Sequence, residues 1–202
     1  ALARAGRPCP PPVALFVGSE LLRGLAYVHE ATDETGRSLR IVHRDVNPPN
    51  VLLEHSGRVR LGDFGIARSS GRETRTQTGV IKGKLRYLAP EQVTGSHLDA
   101  RTDVYAAGLV LWELLAGEPH LLGEGEIELM RAAETPAYRP LAGRPGLDAR
   151  FDRLLSRALA RFPEERWGSA RAFLEALARL RGEPGLEAGE GELAGLSGGV
   201  EA

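Results

Sequence analysis

The sequence predicts an α+β fold that is mainly helical, with a few short β-strands gathered in one stretch. Apolar residues recur at helical spacing in several segments, which is the mark of helices with one face packed inward. Between Leu39 and Asp63 the pattern shortens to β-type runs. From Val104 to Ala116 the chain is apolar on nearly every side, and such a helix belongs in the middle of a core. With 202 residues, 42% of them apolar and 26% charged, the chain is long enough to bury a real core as one domain with a tail.

Taken in order, residues 1–12 form a lead-in whose Arg7-Pro8-Cys9-Pro10-Pro11-Pro12 run reads as extended. Leu15, Leu21, Leu22, Leu25 and Val28 then predict a helix from Val13 to about Glu30. Thr32 to Arg37, with Asp33 and Gly36, reads as a loop. Ile41-Val42, Val51-Leu52-Leu53 and Val59-Arg60-Leu61 are expected as small strands, separated by polar turns such as His55-Ser56-Gly57. Residues 66–86 carry few large apolar side chains and are expected on the surface as a long loop of the kind that often serves function. Thr102 and Asp103 offer N-cap oxygens to a helix running to about Ala116, with Gly117 and Pro119 as stop signals. A helix reads from Leu147 through Phe151, Leu154, Leu155 and Leu159, ending at Pro163. Another starts near Ser169 and carries Phe173, Leu174, Leu177 and Leu180 before Gly182 and Pro184. Residues 13–181 thus make the body, and 182–202 a Gly/Glu/Ala-rich tail expected to be disordered.

A net charge of -1 gives no basic field to draw in nucleic acid or an anionic membrane surface, so no nucleic-acid partner is expected. Cys9 stands alone and makes no internal disulfide, and the five histidines are scattered without metal-ligand spacing. The longest apolar run, Val104 to Ala116, is interrupted by Glu113 and too short to cross a bilayer, and the first residues lack a signal-peptide pattern. A cytoplasmic location is the expectation.

The residues that carry chemistry are His43-Arg44-Asp45-Val46-Asn47-Pro48-Pro49-Asn50, then Asp63-Phe64-Gly65, then Ala89-Pro90-Glu91. In this order and spacing they resemble the signature set of protein kinases, and of the bacterial (Hanks-type) serine/threonine kinases in particular. The resemblance covers about residues 10–181 and implies the large, C-terminal lobe of that fold, with short strands around the catalytic loop. Phosphoryl transfer needs a carboxylate beside the attacking hydroxyl and separate oxygen ligands for the Mg2+ ions on the phosphates of ATP. The resemblance implies Asp45 as the base, Asn50 as a ligand of one Mg2+, and Asp63 as the ligand joining metal to phosphate. It gives His43 a scaffold role.

Other matches are implied in the same way. Arg44 resembles an arginine that pairs with a phosphate on the activation loop, where Thr74, Thr76 and Thr78 stand; a solvated threonine cluster is the plainer alternative. Glu91 and Arg166 match a buried ion pair tying the end of that loop to the helical body. Asp103, with Gly108 after it, resembles the start of the central helix, where the aspartate holds backbone amides of the catalytic loop.

The chain also departs from the pattern. Serine/threonine kinases mostly carry a lysine two residues after the base, and here Asn47 takes that place, removing a cation near the transferring phosphate while keeping a hydrogen-bond donor. Gly83-Lys84 stands where Gly-Thr is common, and Lys84 is a candidate for the missing charge. No Gly-x-Gly-x-x-Gly occurs upstream of His43, so the small lobe is expected to be absent from this chain. The function expected is ATP-dependent phosphorylation of serine and threonine hydroxyls on a protein substrate, incomplete without that lobe. The alternative is a non-catalytic binding module that docks partners through its helical face.

Overall fold

The structure is a computed structural model, and it describes residues 7–63 and 83–186. Helix α1 (Pro11–His29) begins two residues earlier than its periodicity indicates. Pro11 and Pro12 occupy the first helical positions, where a missing N–H costs nothing and the fixed φ suits the helix. Ahead of it the lead-in is tied down, because the Cys9 amide donates to the Leu114 carbonyl at 2.7 Å. Cys9 is buried, and burial pushes its thiol up to about 11, so it behaves as a small apolar side chain. After α1, Asp33 turns the chain by accepting from the Thr35 and Arg37 amides, with Gly36 at φ +80°.

No strand forms at Ile41-Val42, contrary to expectation: no ladder partner reaches that stretch, and the next two amides are taken by a side chain instead of a neighbouring strand. Nor does a strand precede the Pro48-Pro49 turn, which is a single 3-10 turn, Pro48–Asn50, leading into β1 (Val51–Leu53). β1 pairs antiparallel with β2 (Val59–Leu61), Val51 opposite Leu61, through a turn at Gly57 with φ +86°. β2 rests on α1.

The helical body follows as α2 (Pro90–Thr94), α3 (Ala100–Ala116), α4 (Glu126–Glu134), α5 (Ala149–Ala158) and α6 (Ala170–Arg181). The cap of α3 is Asp99, whose carboxylate takes the Arg101 amide, and not Thr102 or Asp103. Asp148 and Ser169 cap α5 and α6 in the same way. α3 is buried from Thr102 to Ala116 and packs against α1, α5 and α6, which makes it the axis of the core. Gly108 permits the approach of α5, since a Cβ there would stand 3.0 Å from Leu159 and 3.1 Å from Ala158. Among the described residues no helix is long and apolar enough to cross a membrane.

Candidate active site

The segment His43–Asn50 is shaped mainly from outside itself. Asp103, buried in the first turn of α3, accepts the His43 amide at 2.7 Å and the Arg44 amide at 2.8 Å on its two carboxylate oxygens. His29, at the end of α1, places Nε2 2.7 Å from the same carboxylate. Arg44 has φ +65°, a left-handed conformation uncommon for a residue with a side chain. It is clamped on its other side as well, because Gln92 donates its amide to the Arg44 carbonyl at 3.0 Å. Such a backbone persists only where the surroundings over-determine it, and it re-aims the chain just before Asp45.

Asp45 then faces a small set of polar groups. Its Oδ1 accepts from Asn47 Nδ2 at 3.0 Å, and its Oδ2 receives the Lys84 ammonium at 2.5 Å. Asn50 donates Nδ2 to the Asp45 carbonyl at 2.7 Å, which leaves its oxygen uninvolved in that bond. The ladder brings in Asp63: the Gly62 amide donates to the Asn50 carbonyl at 2.8 Å, so Asp63 follows directly at the end of β2 that adjoins Asn50. His43, wholly buried, joins both sides of the site, since its Nε2 meets the Gly62 carbonyl at 3.0 Å while its Nδ1 takes the Asp45 amide at 3.4 Å. Asp63 is exposed and left-handed at φ +48°. The structure thus brings Asp45, Asn47, Asn50 and Lys84 into direct contact, with Asp63 at the same ladder end.

The donor set suits magnesium. Mg2+ is commonly held by one or two side-chain oxygens, with phosphate oxygens and water completing the shell. The Asn50 amide oxygen and the Asp63 carboxylate are such hard donors. Among the described residues no three His, Cys, Asp or Glu side chains gather into a protein-only cage.

Further from this centre, Arg166 and Glu91 meet as a bidentate pair at 2.7 and 2.8 Å, both buried. Burial is the largest influence on Glu91 and pushes its carboxyl up, but the hydrogen bonds and charge of Arg166 together hold it below its usual range. The Arg44 side chain is exposed, while Thr74, Thr76, Thr78, Phe64 and Gly65 lie outside the described residues.

Several contributors escaped sequence reasoning. Gln92 and His29 were silent because their partners lie 48 and 74 residues away. Tyr87 donates its hydroxyl to Glu113 on α3, and burial, ahead of that bond, dominates the environment of the Glu113 carboxyl and raises it. Arg86 reaches the Leu121 and Gly123 carbonyls at 2.8 and 3.1 Å.

Comparison with known proteins identifies the family. The family model described as "Protein kinase domain" matches residues 2–177. The chain is 40% identical over 169 residues, 83% of its length, to the tyrosine-protein kinase MasK of Myxococcus xanthus. It is 37% identical over 175 residues to the serine/threonine-protein kinase PknL of Mycobacterium tuberculosis, and 34% over 181 residues to the serine/threonine-protein kinase PknB of Mycobacterium leprae, 85% and 88% of its length respectively. It spans 26%, 42% and 28% of these relatives in turn.

Proposed function

Because the chain belongs to the protein kinase family, we propose that it is the catalytic-loop half of an ATP-dependent serine/threonine protein kinase of bacterial type. The single observation that carries this reading is the contact set around Asp45, with Asn50 bonded to its carbonyl and Asp63 following on the paired strand. Asp45 accepts or orients the proton of the attacking hydroxyl, and Asn50 and Asp63 are the residues that would hold magnesium. When bound, magnesium supplies neutralisation of the phosphate charge. The protein residues fix where the hydroxyl and the phosphates must sit. Arg44, exposed beside the base, is the partner for a phosphate on Thr74, Thr76 or Thr78. The substrate is a protein and the place of action the cytoplasm.

The test uses the natural gene product that contains these residues. With ATP labelled on the γ-phosphate it is expected to phosphorylate an acceptor protein on serine or threonine, and Asp45→Asn to lower turnover by about a hundredfold or more. Undiminished turnover in that variant removes Asp45 from its role. The likeness to a tyrosine-protein kinase supports a second reading, which phosphotyrosine as the sole product would establish.

A further inference from the structure

Asn47 stands where the family mostly has a lysine, and it does not replace that lysine. A primary amide has two N–H donors, and those of Asn47 go to the Asp45 carbonyl at 2.9 Å and the Asp45 carboxylate at 3.0 Å. What remains is Asn47 Oδ1, buried and without a partner, an acceptor that would repel phosphate. The loop therefore offers a transferring phosphoryl group no positive charge from this position. Lys84 does stand beside the base, its ammonium 2.5 Å from Asp45 Oδ2. An ammonium carries three hydrogens, so two remain for other acceptors. Its side chain is 37% exposed against 12% for Asp45, so the open side of the pair is the lysine's.

The choice of residue type is informative. Of 26 basic side chains, all but Lys82 and Lys84 are arginine. A compact ammonium on a flexible stem can meet a carboxylate and a phosphate oxygen at one point, where a planar guanidinium demands a broad flat partner. The position of Lys84 is also fixed. Its carbonyl accepts the Tyr87 amide at 3.0 Å, Tyr87 is bonded to Glu113 on α3, and Arg86 is bonded to the carbonyls of Leu121 and Gly123.

We infer that Lys84 is the catalytic cation of this kinase, carried to the transferring phosphate by the segment ahead of Tyr87 instead of by the catalytic loop, with Arg86 and Tyr87 as its positioning residues. This rests on the functional reading above and adds a regulatory consequence to it. In the transfer, the acceptor hydroxyl oxygen forms a bond to the γ-phosphorus while the bond to the β,γ-bridging oxygen breaks, its electron pair leaving with ADP. The hydroxyl proton passes to the Asp45 carboxylate. Lys84 holds that carboxylate in place and turns its remaining hydrogens to the phosphoryl oxygens. A loop lysine would be present whatever the segment does. Lys84 comes from residues 83–88, so the charge at the site depends on the contacts that hold that segment.

Two measurements test this. In the natural gene product, Lys84→Ala should lower kcat about a hundredfold, with KM for ATP changing much less. Adding Asn47→Lys to it should restore kcat by about tenfold or more, because the charge returns from the loop side. Wild-type kcat in Lys84→Ala, or no recovery in the double variant, overturns the inference. The second readout needs no turnover. In the 202-residue chain made with isotope-labelled lysine there are only two side-chain nitrogen resonances to follow. Asp45→Asn should shift one of them, the one that Lys84→Arg removes, and a spectrum in which neither moves overturns the pair. If the wild-type gene product transfers no phosphate, the kinase reading fails and the catalytic role with it, while a shifted resonance still identifies the contact.

Discussion

Asp103 uses two carboxylate oxygens to satisfy two backbone amides and one imidazole, and it does so from a position 1% exposed. A carboxylate is suited to this because it only accepts, with about four lone-pair sites. An amide in its place would turn an N–H toward one of those donors and leave it unpaired in the interior. Asp103→Asn is therefore expected to cost about 1–3 kcal/mol, seen as a lower urea midpoint. The more specific readout is hydrogen exchange, in which the His43 and Arg44 amides should exchange faster than the rest of the core. Unchanged protection of those two amides would show that Asp103 does not hold the loop. That Asp45, Asn50 and Asp63 belong near one another was legible in the sequence, because each sits in a short motif of fixed spacing. Gln92 and His29 were not, because nothing local distinguishes a side chain that bonds a carbonyl or a carboxylate brought to it only by the fold.

The central helix α3 shows the same contrast at the level of an element. Its apolar girth and its stop at Gly117 are properties of the local sequence, and they located the core and its end. Gly117 sits at φ +73°, and a Cβ there would fall 2.6 Å from the Pro8 nitrogen and 2.7 Å from the Arg7 carbonyl carbon, both backbone atoms. Gly117→Ala should thus destabilise by about 1–3 kcal/mol, through the left-handed backbone and the collision together. Equilibrium urea unfolding checks it, with a lower midpoint and an unchanged slope as the expected result. Where α3 begins was less legible. Asp99, Thr102 and Asp103 all carry capping oxygens, and the decision among them follows from Asp103 being drawn to the His43 and Arg44 amides. Ile41-Val42 was misread for a related reason: β-branched residues favour extended backbone, but a strand also needs a neighbour. Helices α2 and α4 carried no clear signal; α2 is five residues long, and only Leu129 and Ala133 of α4 are buried.

For the molecule as a whole the decisive tie is Arg166. Its five N–H donors all find acceptors: Nε to the Ala160 carbonyl, one terminal nitrogen to Glu91 and the Arg101 carbonyl, the other to Glu91 and the Arg161 carbonyl, between 2.7 and 3.0 Å. The guanidinium also lies 4.6 Å from the centre of the Tyr105 ring. One side chain thus joins α2, the start of α3 and the stretch after α5, so the end of the segment bearing Lys84 is fastened to the helical body. Removing one partner strands a buried charge, and Arg166→Met should cost about 3–5 kcal/mol. Replacing both with Met should cost less than the two single changes added, since no charge is then left alone. Acid gives an independent check. Glu91 titrates below the ordinary carboxylate value of 4.5 in the folded chain, so its contribution is present above that value and is lost as pH falls through its folded pKa. The gap in urea midpoint between the wild-type chain and Glu91→Gln should therefore be constant near neutrality and narrow only below the ordinary carboxylate range. A gap of constant size down to the lowest pH at which the chain stays folded would mean that the ionised pair contributes nothing to holding the segment against the body.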